Sequence, residues 1–251
     1  MPLDGNSTNT VKNGLEAIVS YSLQAMQDVG KYVCEEPGSG EYTADPDFAF
    51  PNTGVDLALR VIGAIESEDD MVVTVVGTDQ DDAALEGTAT IGGQVSRGQA
   101  YEVVPETPGK RFKTISSVTA TNGEAGDGFE IVKLPDSDSW NELCFIENVE
   151  LNEGTTTRPV YCRFEVDHNK RARGENTLTM AVKHTNHLNG LPRIKDRDVT
   201  LRLAFHDDGQ AGATETWIIA KARVSTPLSV PEEDDATVRG EGNFGKYAVF
   251  S

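Results

Sequence analysis

The chain has little of what catalytic, metal-binding or membrane-spanning proteins are built from. Its 251 residues include three cysteines, Cys34, Cys144 and Cys162. An odd number with no CxxC spacing argues against a disulfide framework and against a cysteine-rich zinc site, so buried or incidental free thiols are expected. No apolar run approaches the roughly 20 residues of a membrane-spanning helix. The segment Met1 to Thr10 has neither the basic nor the apolar part of a signal peptide, and a soluble protein made in the cytoplasm is expected. Two tryptophans, Trp140 and Trp217, are few for a sugar-binding platform. No serine sits in a GxSxG elbow, and neither a GxxxxGK(S/T) phosphate loop nor an HExxH helix is present. A triad assembled from distant residues is not singled out by any spacing, and the expectation is a protein that is not an enzyme.

Basic residues are scarce as well. Lys and Arg number 22 against 41 Asp and Glu, a net charge of −19. The excess sits mainly in residues 1–139, with 24 acids against 8 bases, whereas residues 140–251 hold 17 against 14. Such a surface repels nucleic acid and anionic membranes at long range, so neither is expected as a partner. From Arg158 to Arg202 the balance reverses, with ten Lys/Arg against five Asp/Glu. A basic face beside an acidic one suits head-to-tail pairing of copies, and a mixed solvated surface is the simpler alternative.

What the chain does have is strand grammar. Val72-Val73-Thr74-Val75-Val76 runs into Gly77-Thr78-Asp79, and Phe112 to Ala120 is followed by Asn122-Gly123 and then Phe129-Glu130-Ile131-Val132. β-branched and aromatic residues fit a pleated, half-buried surface, and Asn-Gly and Gly77-Thr78-Asp79 are expected to supply the positive φ that tight turns need. Further strands are expected at Leu143–Leu151, Arg158–Val166, Asn176–Lys183, Asp198–Phe205 and Glu215–Val224, with turns at Asn189-Gly190 and Asp208-Gly209. Thr177 to Val182 and Val199 to Leu203 alternate as strands with one wet face do.

Residues 1–12 read as a flexible polar arm. Leu15, Val19, Met26, Val29 and Val33 fall at spacings that predict a short N-terminal helix, the alternative being a strand over Leu15–Leu23. The fold expected is mainly β, two antiparallel β-sandwich or barrel modules with that one helix. Four segments follow: an arm, helix and connector over 1–54; a β-sandwich over 55–135; an antiparallel assembly domain over 140–226 beyond the polar boundary Pro135–Ser139; and an acidic linker with a docking strand over 227–251. Phe244, Tyr247 and Phe250 would be wasted in solvent, and are expected to dock on their own sheet or on a neighbouring subunit.

Two sets of residues invite a metal reading. His184 and His187, with His206-Asp207-Asp208 downstream, would suit a helical face, but the alternating run before them calls for a strand entering a turn, where the rings do not converge. Glu66 to Asp70, Asp79 to Asp82 and Glu232 to Asp235 offer carboxylates without the glycine and terminal glutamate of an EF-hand loop. Solvated loops are expected, with no metal and no cofactor.

Val72-Val73-Thr74-Val75-Val76-Gly77-Thr78-Asp79, Leu85-Glu86-Gly87-Thr88-Ala89-Thr90-Ile91 and Arg111-Phe112-Lys113-Thr114-Ile115-Ser116-Ser117-Val118-Thr119 together resemble a β-sandwich found in structural proteins of tailed bacteriophages. Glu86-Gly87-Thr88 departs from the family's usual Glu-Thr pair, and residues 92–110 form a longer insertion. The C-terminal half, with Thr156-Thr157-Arg158-Pro159-Val160, Thr177–His184 and Gly242 to Phe250, resembles a phage tail-tube protein. The resemblance implies a virion protein whose partners are itself, in rings that stack, and other virion proteins. Phe244, Tyr247, Phe250, Arg158 and Arg202 are then the expected assembly residues. The alternatives are a capsid decoration or head–tail completion protein, or a carbohydrate- or receptor-binding sandwich on the particle; a secreted hydrolase lacks both motif and leader.

Overall fold

The computed structural model describes residues 9–65, 68–152, 155–162, 165–173, 176–183, 196–206, 215–224 and 237–250. The strands are β1 (Asn9–Ser22), β2 (Gln27–Glu36), β3 (Ser39–Ala44), β4 (Leu57–Val61), β5 (Met71–Asp79), β6 (Ala84–Ile91), β7 (Ala100–Glu102), β8 (Val104–Pro105) and β9 (Phe112–Ala120). They continue as β10 (Gly128–Lys133), β11 (Asn141–Asn152), β12 (Thr155–Cys162), β13 (Glu165–Arg173), β14 (Asn176–Lys183), β15 (Val199–His206), β16 (Glu215–Val224), β17 (Thr237–Phe244) and β18 (Tyr247–Phe250). The protein is mainly β, in several antiparallel sheets.

The N-terminal helix does not form. Ala17 to Val19 pair with Cys144 to Ile146 on one side and with Leu203 to Phe205 on the other, so this segment lies inside a sheet. In β2 the inward residues Gly30, Tyr32 and Cys34 follow period two, and Val33 is only half-buried. The helical spacing carries no meaning because Val19 lies on β1 and Met26 between β1 and β2, not on one continuous element. Nor is the polar arm structureless to residue 12, since Asn9 to Lys12 pair with Val149 to Asn152.

The chain divides into two compact units, Met1–Leu23 with Asn141–Lys246, and Gln24–Trp140 with Tyr247–Ser251. The cut at Trp140/Asn141 falls just past the polar stretch Pro135–Ser139, and the other two fall at points the composition did not mark. The expected boundaries at 54/55 and 226/227 are not where it divides, because β2 and β3 share a sheet with β10, β4 and β7. In the first, discontinuous unit the strands run β15-β1-β11-β14-β17-β16, and β15 also pairs with β16, so the ladder returns to its first strand. Val19, Leu201, Leu203, Phe205, Trp217 and Ile219 are buried there, with Phe205 edge-on to Trp217 at 6.2 Å.

The second unit is a sandwich of a five-stranded sheet, β3-β2-β10-β4-β7, and a four-stranded sheet, β8-β6-β5-β9. Its core takes Val29, Tyr32, Leu57, Leu59, Phe129 and Ile131 from one sheet and Met71, Val73, Val75, Leu85, Ile91 and Phe112 from the other. The β5 run that reads as uniformly apolar is one-sided: Met71, Val73 and Val75 face in and Val72 is exposed. Gly77-Thr78-Asp79 continues this strand, and the turn falls later, at Asp82, whose φ is 63°. Gly77 sits at a bulge against β9, where an added Cβ would lie 1.8 Å from the Thr114 carbonyl oxygen. Only glycine fits such an approach.

Candidate functional site

The five expected assembly residues fall on four strands, β12, β15, β17 and β18. The terminal segment Phe244–Phe250 is not one strand: Gly245 and Lys246 break it, leaving Phe244 at the end of β17 in the discontinuous unit and Tyr247 and Phe250 on β18 in the sandwich unit. Phe244 is buried; Tyr247 and Phe250 are half-buried. Arg202 lies on β15, opposite Ser20 of β1 and Ile218 of β16, and burial pulls its guanidinium below its ordinary value. Arg158 lies on β12, which pairs with β13.

β18 docks on its own sandwich. The Val249 N–H donates to the Gly98 carbonyl at 2.9 Å, and Val249 bridges Gln99 in parallel. Arg60 holds the strand from below, with Nε donating to the Tyr247 carbonyl at 2.5 Å and the guanidinium 5.9 Å from the centre of the Tyr247 ring. Its Nη1 donates to Glu130 at 3.0 Å. Gly98, at φ +90°, leaves room for that ring, since a Cβ there would come within 2.8 Å of it. Arg60 was missed by sequence reasoning, although a lone charge inside Leu57-Ala58-Leu59-Arg60-Val61, a strand buried throughout, is a signal that it has a dedicated partner.

The acidic loop after β5 has its own cations. Asp79 is buried; Oδ1 accepts from the N–H groups of Asp81 and Ala83 at 2.8 and 3.0 Å, and Oδ2 lies 2.9 Å from Lys110 Nζ. The Lys110 hydrogen bond, with those backbone donors, holds the Asp79 carboxyl below its ordinary range against the cost of burial. Lys110 and Lys113 also reach Asp81 and Asp82, at 2.5 and 2.6 Å. These carboxylates are neutralised by lysine, not arranged as an open cation shell. Among the described residues no group of three or more His, Cys, Asp or Glu is placed to hold a metal. His184, His187, Glu66 and Glu232 to Asp235 lie outside the described residues. Cys34 is a buried free thiol, raised by burial and then by Asp127, which disfavours the reactive thiolate.

A second charged group joins the start and end of the sandwich unit. Arg111 donates to both oxygens of Asp56, at 3.2 and 2.8 Å, and to Asp136. Gln24 donates to Asp136 at 2.8 Å and accepts from its N–H at 2.9 Å. Burial works to raise Asp136, but the bonds from Gln24 and Arg111 outweigh it and hold the carboxyl below its ordinary 3.8. A carboxyl lowered on folding contributes stability that is complete above its unfolded value and is lost as pH falls through the folded one. The urea midpoint of this unit is therefore expected to lose Asp136's contribution only below about pH 3.8. Asp136→Asn should lower the midpoint at pH 7, and the gap to wild type should narrow as pH falls below 3.8; a constant gap between the two would refute this role.

The chain matches no family model, no curated protein and no solved structure. In the sandwich unit the sheets end at β3 and β7 and at β8 and β9. β7 and β8 are three and two residues long, whereas β3 and β9 have six and nine. Long terminal strands offer rows of backbone donors and acceptors to another chain.

Proposed function

We propose that this protein is a structural subunit of a tailed-phage particle: a non-enzymatic tail-tube protein that assembles with itself into stacked rings in the virion, beside other virion proteins. One observation carries the reading. The three segments that resemble the phage sandwich fall in β5, β6 and β9, side by side in the order β6-β5-β9. Segments quoted for their sequence alone thus belong to one sheet and one core. The sheet ends at β3 and β9 supply surfaces on which a β protein can associate.

Purified protein examined by light scattering and negative-stain microscopy at rising concentration should form rings or short tubes. A strictly monomeric species across salt and concentration would overturn the tail-tube assignment. It would favour decoration of a preformed lattice, head–tail completion, or a sugar- or receptor-binding role.

A further inference from the structure

The strands β12 and β13 form a two-stranded ladder of their own, from Thr155↔Arg173 to Cys162↔Glu165. The strands flanking them in sequence, β11 and β14, pair with each other as far as Asn152↔Thr177. Eight residues at about 3.3 Å each make the ladder about 25 Å long. Among the described residues neither of its strands pairs with a third. A lone two-stranded ribbon is marginal in water, and among the described residues both outer edges of this one are open to a further strand.

Its composition points to the missing partner. Residues 155–173 hold five Lys/Arg (Arg158, Arg163, Lys170, Arg171 and Arg173) against Glu165 and Asp167, a net of +3 in a chain of −19. The register sets Arg158 directly opposite Lys170, with Thr157 opposite Arg171 next along. Like charges facing each other across a ladder are unfavourable unless a counter-charge is supplied.

The same chain carries a matching edge. β3 ends the five-stranded sheet and, among the described residues, pairs with β2 alone. Around it lie Glu35, Glu36, Glu41, Asp45 and Asp47, with no Lys or Arg between Lys31 and Arg60. Glu35, Glu36, Glu41 and Asp47 are exposed. The other long terminal strand, β9, contains Lys113 and no acid, and so has the wrong charge.

We infer that the basic β12–β13 ribbon of one copy docks along the acidic β3 edge of a second copy. The contact is heterologous, each copy offering one ribbon and one edge, so it propagates into a ring or a filament. It rests on the self-assembly reading and names the surfaces that perform it. Strand addition supplies the backbone bonds, and opposite charge supplies register and encounter rate.

Charge exchange tests it with the full chain. Lys170→Glu/Arg171→Glu reverses the ribbon, and Glu35→Lys/Glu36→Lys/Glu41→Lys reverses the edge; circular dichroism checks that both variants fold. In sedimentation velocity at about 0.05 M salt each variant alone should self-associate roughly tenfold more weakly than wild type or not at all. Mixed one to one they should assemble again, since each ribbon then meets an edge of opposite charge. Raising salt to about 0.5 M should weaken wild type. An assembling wild type whose variants also assemble alone, or fail to recover on mixing, overturns the inference and leaves the self-assembly reading standing. A monomeric wild type overturns both.

Discussion

Phe129→Ala is expected to cost the sandwich unit about 3–5 kcal/mol, the usual price of an emptied aromatic site in a core that cannot collapse around it. Phe129 lies on β10, between β2 and β4, opposite Tyr32 on one side and Val61 on the other. It is fully buried, and its ring stacks on Tyr32 at 5.1 Å with 14° between planes. Both neighbours are held in continuous ladders, so neither can move into the void without breaking register. A loss of this size is a large fraction of the 5–15 kcal/mol that typically holds a domain folded. Amide exchange along β2, β4 and β10 in rising urea is the measurement, since it reads this unit separately. Phe129→Leu, which keeps most of the volume, should cost less than half as much. A loss under about 0.5 kcal/mol for the alanine variant, the range of an ordinary surface change, would mean that the core lies elsewhere.

The ease with which strands could be read from this sequence has a local cause. β9 spans Phe112–Ala120, β14 spans Asn176–Lys183 and β16 spans Glu215–Val224, the same residues that alternation and turn residues mark out. Those signals act within ten residues. Asn122 takes positive φ, at 59°, as an Asn-Gly turn requires. The expected strand Arg158–Val166 failed for an equally local reason: β12 ends at Cys162 and β13 begins at Glu165, with no glycine or proline between to mark the reversal. The cut at Trp140/Asn141 adjoins the polar stretch Pro135–Ser139, but the return of Met1–Leu23 to the later unit was invisible because it is made by pairings of long sequence separation. β1 joins β11 and β15 more than a hundred residues away, and no residue of Asn9–Ser22 announces those partners. The candidate surfaces divide in the same way. The basic excess within Arg158–Arg202 and the acids around β3 are plain in the composition, whereas the separateness of the β12–β13 ladder and the terminal position of β3, both among the described residues, are matters of topology.

Removing residues 247–251 should lower the stability of the sandwich unit by about 2–4 kcal/mol while leaving it folded. The sequence marks Tyr247 and Phe250 as docking residues without saying on what, and the structure places β18 against Gly98 and Gln99 of its own chain. Truncation takes away the half-buried Tyr247 and Phe250 and the fully buried Ala248. It also removes the carbonyl that accepts from Arg60, whose side chain is only 4% exposed. Glu130 remains as a partner for Arg60 at 3.0 Å, which is why the expected result is a weakened unit and not an unfolded one. A hydrogen bond to a charged group is worth about 1.5–3 kcal/mol, and partial burial of two aromatic rings adds a comparable amount, offset as water reaches the exposed guanidinium. Amide exchange at β4 and β7, the strands nearest the loss, should accelerate most. Two results would count against this account. Unchanged protection at β4 and β7 would mean that β18 contributes nothing to its own unit, returning Tyr247 and Phe250 to the neighbouring subunit. Assembly abolished in a truncated protein of undiminished stability would do the same, and would move the principal contact from the β12–β13 ribbon to the terminal strand.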